Sequence, residues 1–396
     1  MGRPITPDDL WTLKRVGQPE HIPGTKACVV PVVSYTGDDG AAVSVVHRIE
    51  RDGTTTQLTS DERSSSAPIP SPDGTSMAFL GSVSQEPAQA YVMALGGGEA
   101  QQVTDLPLGA TSVTWVPTRN SLIVAAPLYR GFPSVEETTE EKDNREGKTL
   151  PIVTEDRVYR HWKKWLAGAK VIHLFRVDLD DGTVHHLTER LDRLISLDDD
   201  VSGSMVVSPD GDTIYFTLDD YPEPWEHFRF SIHHMPVDGG RIERLTTGES
   251  VQQFRPRISP DGSTLVYGVQ YEHAYYADLV RIVTHHLPTG TEQVITNDWD
   301  RSAGAWEFID DESLVFHAED EGHVRLYTLT IEGGTPMPLT STGSNHGPRI
   351  GIDCYWHRHE AMDAPPEVAF TCVGHTEVVS TFNADLIAEL DMRPAE

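Results

Sequence analysis

A four-residue turn recurs along this chain and limits what it can fold into. Ser-Pro-Asp-Gly stands at Ser71-Pro72-Asp73-Gly74, Ser208-Pro209-Asp210-Gly211 and Ser259-Pro260-Asp261-Gly262. Two residues later comes an apolar triplet: Met77-Ala78-Phe79, Ile214-Tyr215-Phe216 and Leu265-Val266-Tyr267. Proline presets the turn, aspartate bonds back to the backbone, and glycine accepts positive φ. Weaker copies stand at Pro23-Gly24-Thr25, Pro117-Thr118-Arg119-Asn120, Asp310-Asp311-Glu312 and Pro365-Pro366-Glu367. Together these are seven openings.

A second signal closes each unit: a glycine turn, a few residues, then Leu-Thr or a near variant. It occurs at Leu58-Thr59, Val103-Thr104, Leu187-Thr188, Leu245-Thr246, Ile295-Thr296 and Leu339-Thr340, with the last unit degenerate. The period of about fifty residues is that of a four-stranded propeller blade. The segments alternate rather than repeat at 3.6, which disfavours a helical array. The expectation is an all-β chain, a seven-bladed β-propeller with short flanking helices. The propeller spans 21–380 and carries a long insertion at about 128–160. Residues 1–20 form a helical extension, with Thr6 capping and Leu10, Trp11 and Leu13 as the apolar face. Residues 381–396 form a second helix or linker, with Asn383 capping Ala384 and its successors.

The formal net charge is −30, from 31 basic and 61 acidic residues. So acidic a surface repels phosphate backbones and anionic membranes, and excludes nucleic acid as the expected partner. The N-terminus has no apolar run, and no stretch reaches membrane-spanning length. Cys28, Cys354 and Cys372 are odd in number and show no metal spacing, so each is expected as a buried free thiol. These features together point to a cytoplasmic protein.

The residues of the insertion and the later units resemble the N-terminal propeller of the prolyl oligopeptidase family of serine peptidases. The likeness is to the branch of acylaminoacyl-peptidases and bacterial dipeptidyl peptidases. It rests on Arg157-Val158-Tyr159-Arg160-His161-Trp162 with His173-Leu174-Phe175-Arg176-Val177-Asp178, and on Tyr271-Glu272-His273-Ala274-Tyr275-Tyr276-Ala277-Asp278. Asp300-Arg301-Ser302, Ala318-Glu319-Asp320-Glu321-Gly322 and both termini extend it along nearly the whole chain. The resemblance implies a propeller that gates short peptides for a following α/β-hydrolase domain or chain, which supplies Ser, Asp and His. This sequence ends at Glu396, about where that domain is expected to begin.

The chain's own residues carry no such chemistry. A nucleophile elbow needs Gly-x-Ser-x-Gly, and no such pentapeptide occurs. Gly343-Ser344-Asn345-His346-Gly347 has its serine one place too early. The doublets His185-His186, His233-His234 and His285-His286 sit on strands, where neighbours point to opposite faces and cannot chelate one ion. No metal and no cofactor is expected. The substrate-binding candidates are Tyr159, Arg160, His161 and Trp162, where aromatics and cations suit an interface or a pocket wall. Glu272 and Asp278 join them, since a carboxylate can hold a peptide's α-ammonium. The plainer reading of these two acids is an ion pair with Arg281 or Arg301. A free-standing propeller acting as a protein-interaction scaffold is the alternative to the peptidase reading.

Overall fold

The computed structural model describes residues 2–36, 40–84, 86–151, 153, 159–162, 164–166, 170–220, 228–246, 252–272 and 277–392. The chain is all-β, built from successive antiparallel meanders with few helices. Strands Ser64–Pro70, Ser76–Ser82, Gln89–Ala94 and Gln101–Gln102 form one sheet in sequence order. Met205–Val207, Thr213–Asp219, Phe230–Pro236 and Glu243–Arg244 repeat the arrangement, as do Gln252–Ile258, Thr264–Gln270, Arg281–His286 and Thr291–Val294.

Contacts divide the chain into two compact units. One takes residues 1–86, 92–100 and 296–396, and the other takes 87–91 and 101–295. In the first unit the opening and closing meanders share a core of Val16, Cys28, Val30, Ile49, Trp356, Val368 and Phe370. In the second unit Ile123, Leu174, Ile214, Phe216 and Met235 unite two neighbouring meanders.

The Ser-Pro-Asp-Gly turns fold as their chemistry dictates. Ser71 Oγ donates to Asp73 at 2.5 Å and accepts the Ser76 N–H at 3.0 Å. Asp73 also accepts the Thr75 N–H at 3.0 Å, and Gly74 sits at φ 69°. Ser208–Asp210 and Ser259–Asp261 repeat the bonds at 2.5 and 2.6 Å. These donors hold the carboxyls of Asp73, Asp210 and Asp261 below the usual range, with the serine hydroxyl as the largest cause.

The Leu-Thr closings exchange two bonds with the third strand. Leu58 N–H donates to Val46 O at 2.8 Å, and the Val46 N–H returns to Thr59 Oγ1 at 2.9 Å. Thr104, Thr188, Thr246 and Thr340 accept in the same way from Ala90, Leu174, Ile232 and Leu326. The last unit does the same with Val379-Ser380, where Ser380 Oγ accepts the Val368 N–H at 2.8 Å. The closing read as degenerate is therefore present, with serine for threonine.

The seventh opening needs correction. Pro365-Pro366-Glu367 lies in strand Ala364–Cys372. The turn between Ser344–Ile350 and Tyr355–Ala361 is made instead by Gly351 to Cys354, with Asp353 at φ 61° and the Gly351 N–H on Cys354 O at 2.8 Å. A further device recurs that the turn pattern did not reveal. The first strands of four meanders carry a bulge with a left-handed residue: Ala67, Arg255, Ala305 and Gly347.

Both terminal helices are short. Asp9–Thr12 has no side-chain cap; instead the Thr6 N–H and hydroxyl donate back to Asp9 at 2.7 and 2.8 Å. The expected capping direction is reversed because Asp9, clamped by Arg3 at 2.6 Å, is the stronger acceptor. Ala384–Glu389 also lacks a side-chain cap, since Asn383 bonds Lys14 in place of its own helix. Strands Arg15–Val16 and Glu20–His21 pair with Ala27–Thr36, so the chain from Arg15 to His21 belongs to the first sheet.

Candidate functional site

The insertion begins after strand Ser121–Tyr129 with helix Val135–Arg145, which Ser134 and Glu137 close with a reciprocal capping box. Thr138 is buried and accepts the Tyr129 N–H at 3.1 Å, and Arg145 lies 4.2 Å above the Tyr129 ring. The expected solvated excursion thus contains a docked, acidic helix.

Further along, Arg160–His161 and Lys164–Trp165 pair as a two-stranded hairpin. Tyr159 stacks on Trp165 at 5.8 Å, and Arg160 lies 5.7 Å from the Trp165 ring. Trp162 occupies the hairpin tip at φ 49°, is 82% exposed, and meets His161 edge-on at 6.5 Å. Tyr159, Arg160, His161 and Trp162 therefore share one aromatic, basic element. Arg157, Val158 and Lys163 of the same motif lie outside the described residues.

Glu272 and Asp278 belong to a different loop, of which His273, Ala274, Tyr275 and Tyr276 lie outside the described residues. Asp278 organises the described ends. It accepts the Tyr271 N–H at 2.7 Å, the Glu272 N–H at 3.2 Å and Arg281 at 3.3 Å. Burial opposes ionisation here, yet these donors outweigh it and hold the carboxyl below its ordinary range. Arg281 also lies 5.2 Å from the Tyr271 ring. The Asp278–Arg281 ion pair is the plainer reading of Asp278, whereas Arg301 pairs with Asp300 and Asp320. Glu272 is exposed, and its carboxylate has no partner among the described residues. No hydrogen bond, ion pair or ring contact among the described residues joins this loop to the hairpin.

The histidine doublets split across their strands. His185 faces Asp178 at 3.0 Å, while His186 faces His173 at 3.0 Å. His233 is buried beside Asp220, and His285 bonds Glu292 at 2.9 Å while His286 bonds Thr289. Among the described residues no group of three or more His, Cys, Asp or Glu is placed to hold a metal ion. Ser344 and His346 lie on one strand, where His346 bonds Glu360 at 3.1 Å. No helix among the described residues is long and apolar enough to cross a membrane.

The cysteines depart from expectation. Cys28 is a buried free thiol, but Cys354 and Cys372 form a disulfide with a Cα separation of 4.5 Å. They flank the pairing of Tyr355 with Thr371 on adjacent antiparallel strands, which brings the two Cα atoms within bridging reach. The part of the cytoplasmic expectation that rested on free cysteines falls with this bond.

Successive four-stranded meanders with these closings are the fold seen in β-propeller domains. The chain is similar in sequence to peptidases and in structure to the β-propeller domain of a protease. It is 28% identical over 219 residues to the uncharacterised peptidase YuxL of Bacillus subtilis (strain 168), covering 55% of this chain and 31% of that one. It superposes on an acylaminoacyl peptidase in complex with Z-Gly-Gly-Phe-chloromethyl ketone with TM-score 0.73 and 15% identity, over 97% of this chain and 55% of that chain. The β-propeller domain of the trilobed protease from Pyrococcus furiosus, described as having an open velcro topology, matches with TM-score 0.66 and 13% identity over 93% of this chain and 99% of that chain. No family model matches the chain. The chain thus spans about half the length, or less, of the whole peptidases it resembles.

Proposed function

We propose that this chain is the non-catalytic propeller half of a serine peptidase, with its meanders as the seven blades of the domain at 21–380. It restricts access to short peptides and positions them for an α/β-hydrolase domain or chain, toward which 381–396 leads. The observation that carries this reading is the extent of the structural likeness, which takes in 97% of this chain but only 55% of the acylaminoacyl peptidase. Within this reading Glu272, whose carboxylate has no partner among the described residues, accepts the substrate's α-ammonium. Asp278 holds the ends of the loop that carries Glu272. Tyr159, Arg160, His161 and Trp162 offer a stacked aromatic surface to peptide side chains. The test is co-expression with an α/β-hydrolase encoded beside it, followed by assay of aminoacyl-peptide cleavage. Complex formation with a gain in cleavage supports the reading, and a Glu272→Gln complex should raise KM for free-amine peptides more than for blocked ones. A chain that binds no hydrolase and leaves cleavage unchanged is a free-standing scaffold instead.

A further inference from the structure

A cleft of about 410 Å³, lined by none of the hairpin or Glu272-loop residues, opens beside strand Lys170–Asp178. Its lining includes Tyr129, Arg130, His173, Glu189, Arg190 and Asp192. The volume is in the range of small-molecule sites.

His173 is the unusual member. It is 2% exposed, and its Nδ1 lies 2.9 Å from Thr188 O and 3.0 Å from His186 Nε2. A carbonyl oxygen only accepts, so the proton sits on Nδ1. Nε2 of His173 is then a bare lone pair, and it has no partner among the described residues. Burial, reinforced by His186, lowers the His173 pKa to about 4, so the imidazole stays neutral at ordinary pH and the lone pair stays available.

The charges of the cleft divide into satisfied and unsatisfied pairs. Arg130 and Asp192 bond each other at 2.9 Å. Glu189 and Arg190 are both exposed, and neither side chain has a partner among the described residues. The cleft therefore offers one open anion, one open cation and a neutral acceptor. The Tyr129 ring, with Arg145 packed 4.2 Å from its centre, adds an apolar surface. A simple anion leaves Glu189 and His173 unused, and a simple cation leaves Arg190 unused. A metal ion is poorly served, because His186 Nε2 already accepts from His173.

We propose that this cleft binds a small zwitterion of the amino-acid type, a free amino acid or dipeptide. Its ammonium donates to Glu189 and to Nε2 of His173, and its carboxylate is held by Arg190. The site is distinct from the residues assigned above to substrate, and no bond is made or broken in it.

The test is calorimetric titration of the purified chain with alanyl-phenylalanine, its N-acetyl form, its C-terminal amide and inorganic phosphate. Saturable binding is expected for the free dipeptide. Blocking either end should weaken it about tenfold or more, the loss of one charge-assisted hydrogen bond. Glu189→Gln should weaken the free dipeptide but leave the N-acetyl form unchanged, and Arg190→Gln should do the converse for the amide. Both side chains are exposed, so neither variant threatens folding. Imidazole ¹⁵N spectra should show Nε2 of His173 shifting with the free dipeptide. Equal affinity for blocked and free forms, competition by phosphate alone, or no saturation in the millimolar range overturns the proposal. The readout is binding by this chain by itself, so it succeeds or fails independently of any peptidase complex.

Discussion

Asn383 grips Lys14 through both ends of its amide. The Lys14 N–H donates to Asn383 Oδ1 at 2.8 Å, and Asn383 Nδ2 donates to Lys14 O at 3.2 Å. The residue is 3% exposed, and its own N–H donates to Glu367 at 2.9 Å. One side chain thus fastens the start of the chain to its end. The neighbouring parallel bridge between Arg3 and Leu390 adds backbone bonds of 2.9 and 2.8 Å.

Asn383→Ala should therefore cost more than a helix cap. Two backbone groups of Lys14 lose the partner that the buried Asn383 side chain gives them, at about 1 kcal/mol for each hydrogen bond lost. Urea unfolding should show a lower midpoint with an unchanged slope. Susceptibility of the N-terminal segment to proteolysis should rise in parallel. A midpoint within error of the parent would show that water replaces the amide at no cost.

The closing threonines make a second, repeated prediction. Thr59 is buried, and its hydroxyl accepts the Val46 N–H. Thr59→Val keeps the shape but strands that N–H, so a loss of about 1–3 kcal/mol is expected. Thr59→Ser should recover most of it, as Ser380 does naturally at the last closing. Thermal unfolding of the pair separates the hydroxyl from the methyl.

The disulfide is checked by counting thiols. Denatured without reductant, the chain should show one reactive thiol, Cys28, and after reduction three. Closing a loop of 18 residues stabilises by about 3 kcal/mol on chain-entropy grounds. Reduction or Cys372→Ser should lower stability by that order, and three thiols without reductant would refute the bond.

The opening turns were legible because their bonds are local. In Ser71 to Ser76 the hydroxyl, the carboxylate and the positive-φ glycine act within one short stretch. The seventh opening escaped because Asp353 does the glycine's work with no proline beside it, while Pro365 and Pro366 drew attention to a strand. Asn383 has a good local reason to cap a helix, and a tertiary partner in Lys14 overrode it. Cys354 and Cys372 meet only once strand register is known. The His173 cleft is less visible still. Its lone pair is exposed by Thr188 and its charges come from Glu189 and Arg190, which only strand pairing brings to His173.

Buried histidines should make stability depend on pH well above the carboxylate range. His357 is fully buried, with Nε2 bonded to Thr371 Oγ1 at 2.9 Å and Nδ1 without a partner among the described residues. Burial lowers its pKa to about 3, and that of His173 to about 4, against 6.5 for the free side chain. Below about pH 6.5 the unfolded chain takes up protons that the folded chain refuses, which favours unfolding. Their contribution is therefore complete above that pH and declines as pH falls toward the folded values. The slope is at most about 1.4 kcal/mol per pH unit for each histidine. The turn aspartates, whose pKa values are also lowered, act in a separate window that begins only near pH 4. Urea midpoints measured between pH 7 and 4.5 should fall steadily. His357→Gln lowers stability throughout but should reduce the slope by about one proton. An unchanged slope would mean that His357 titrates normally in the folded protein and that its burial is breached by water.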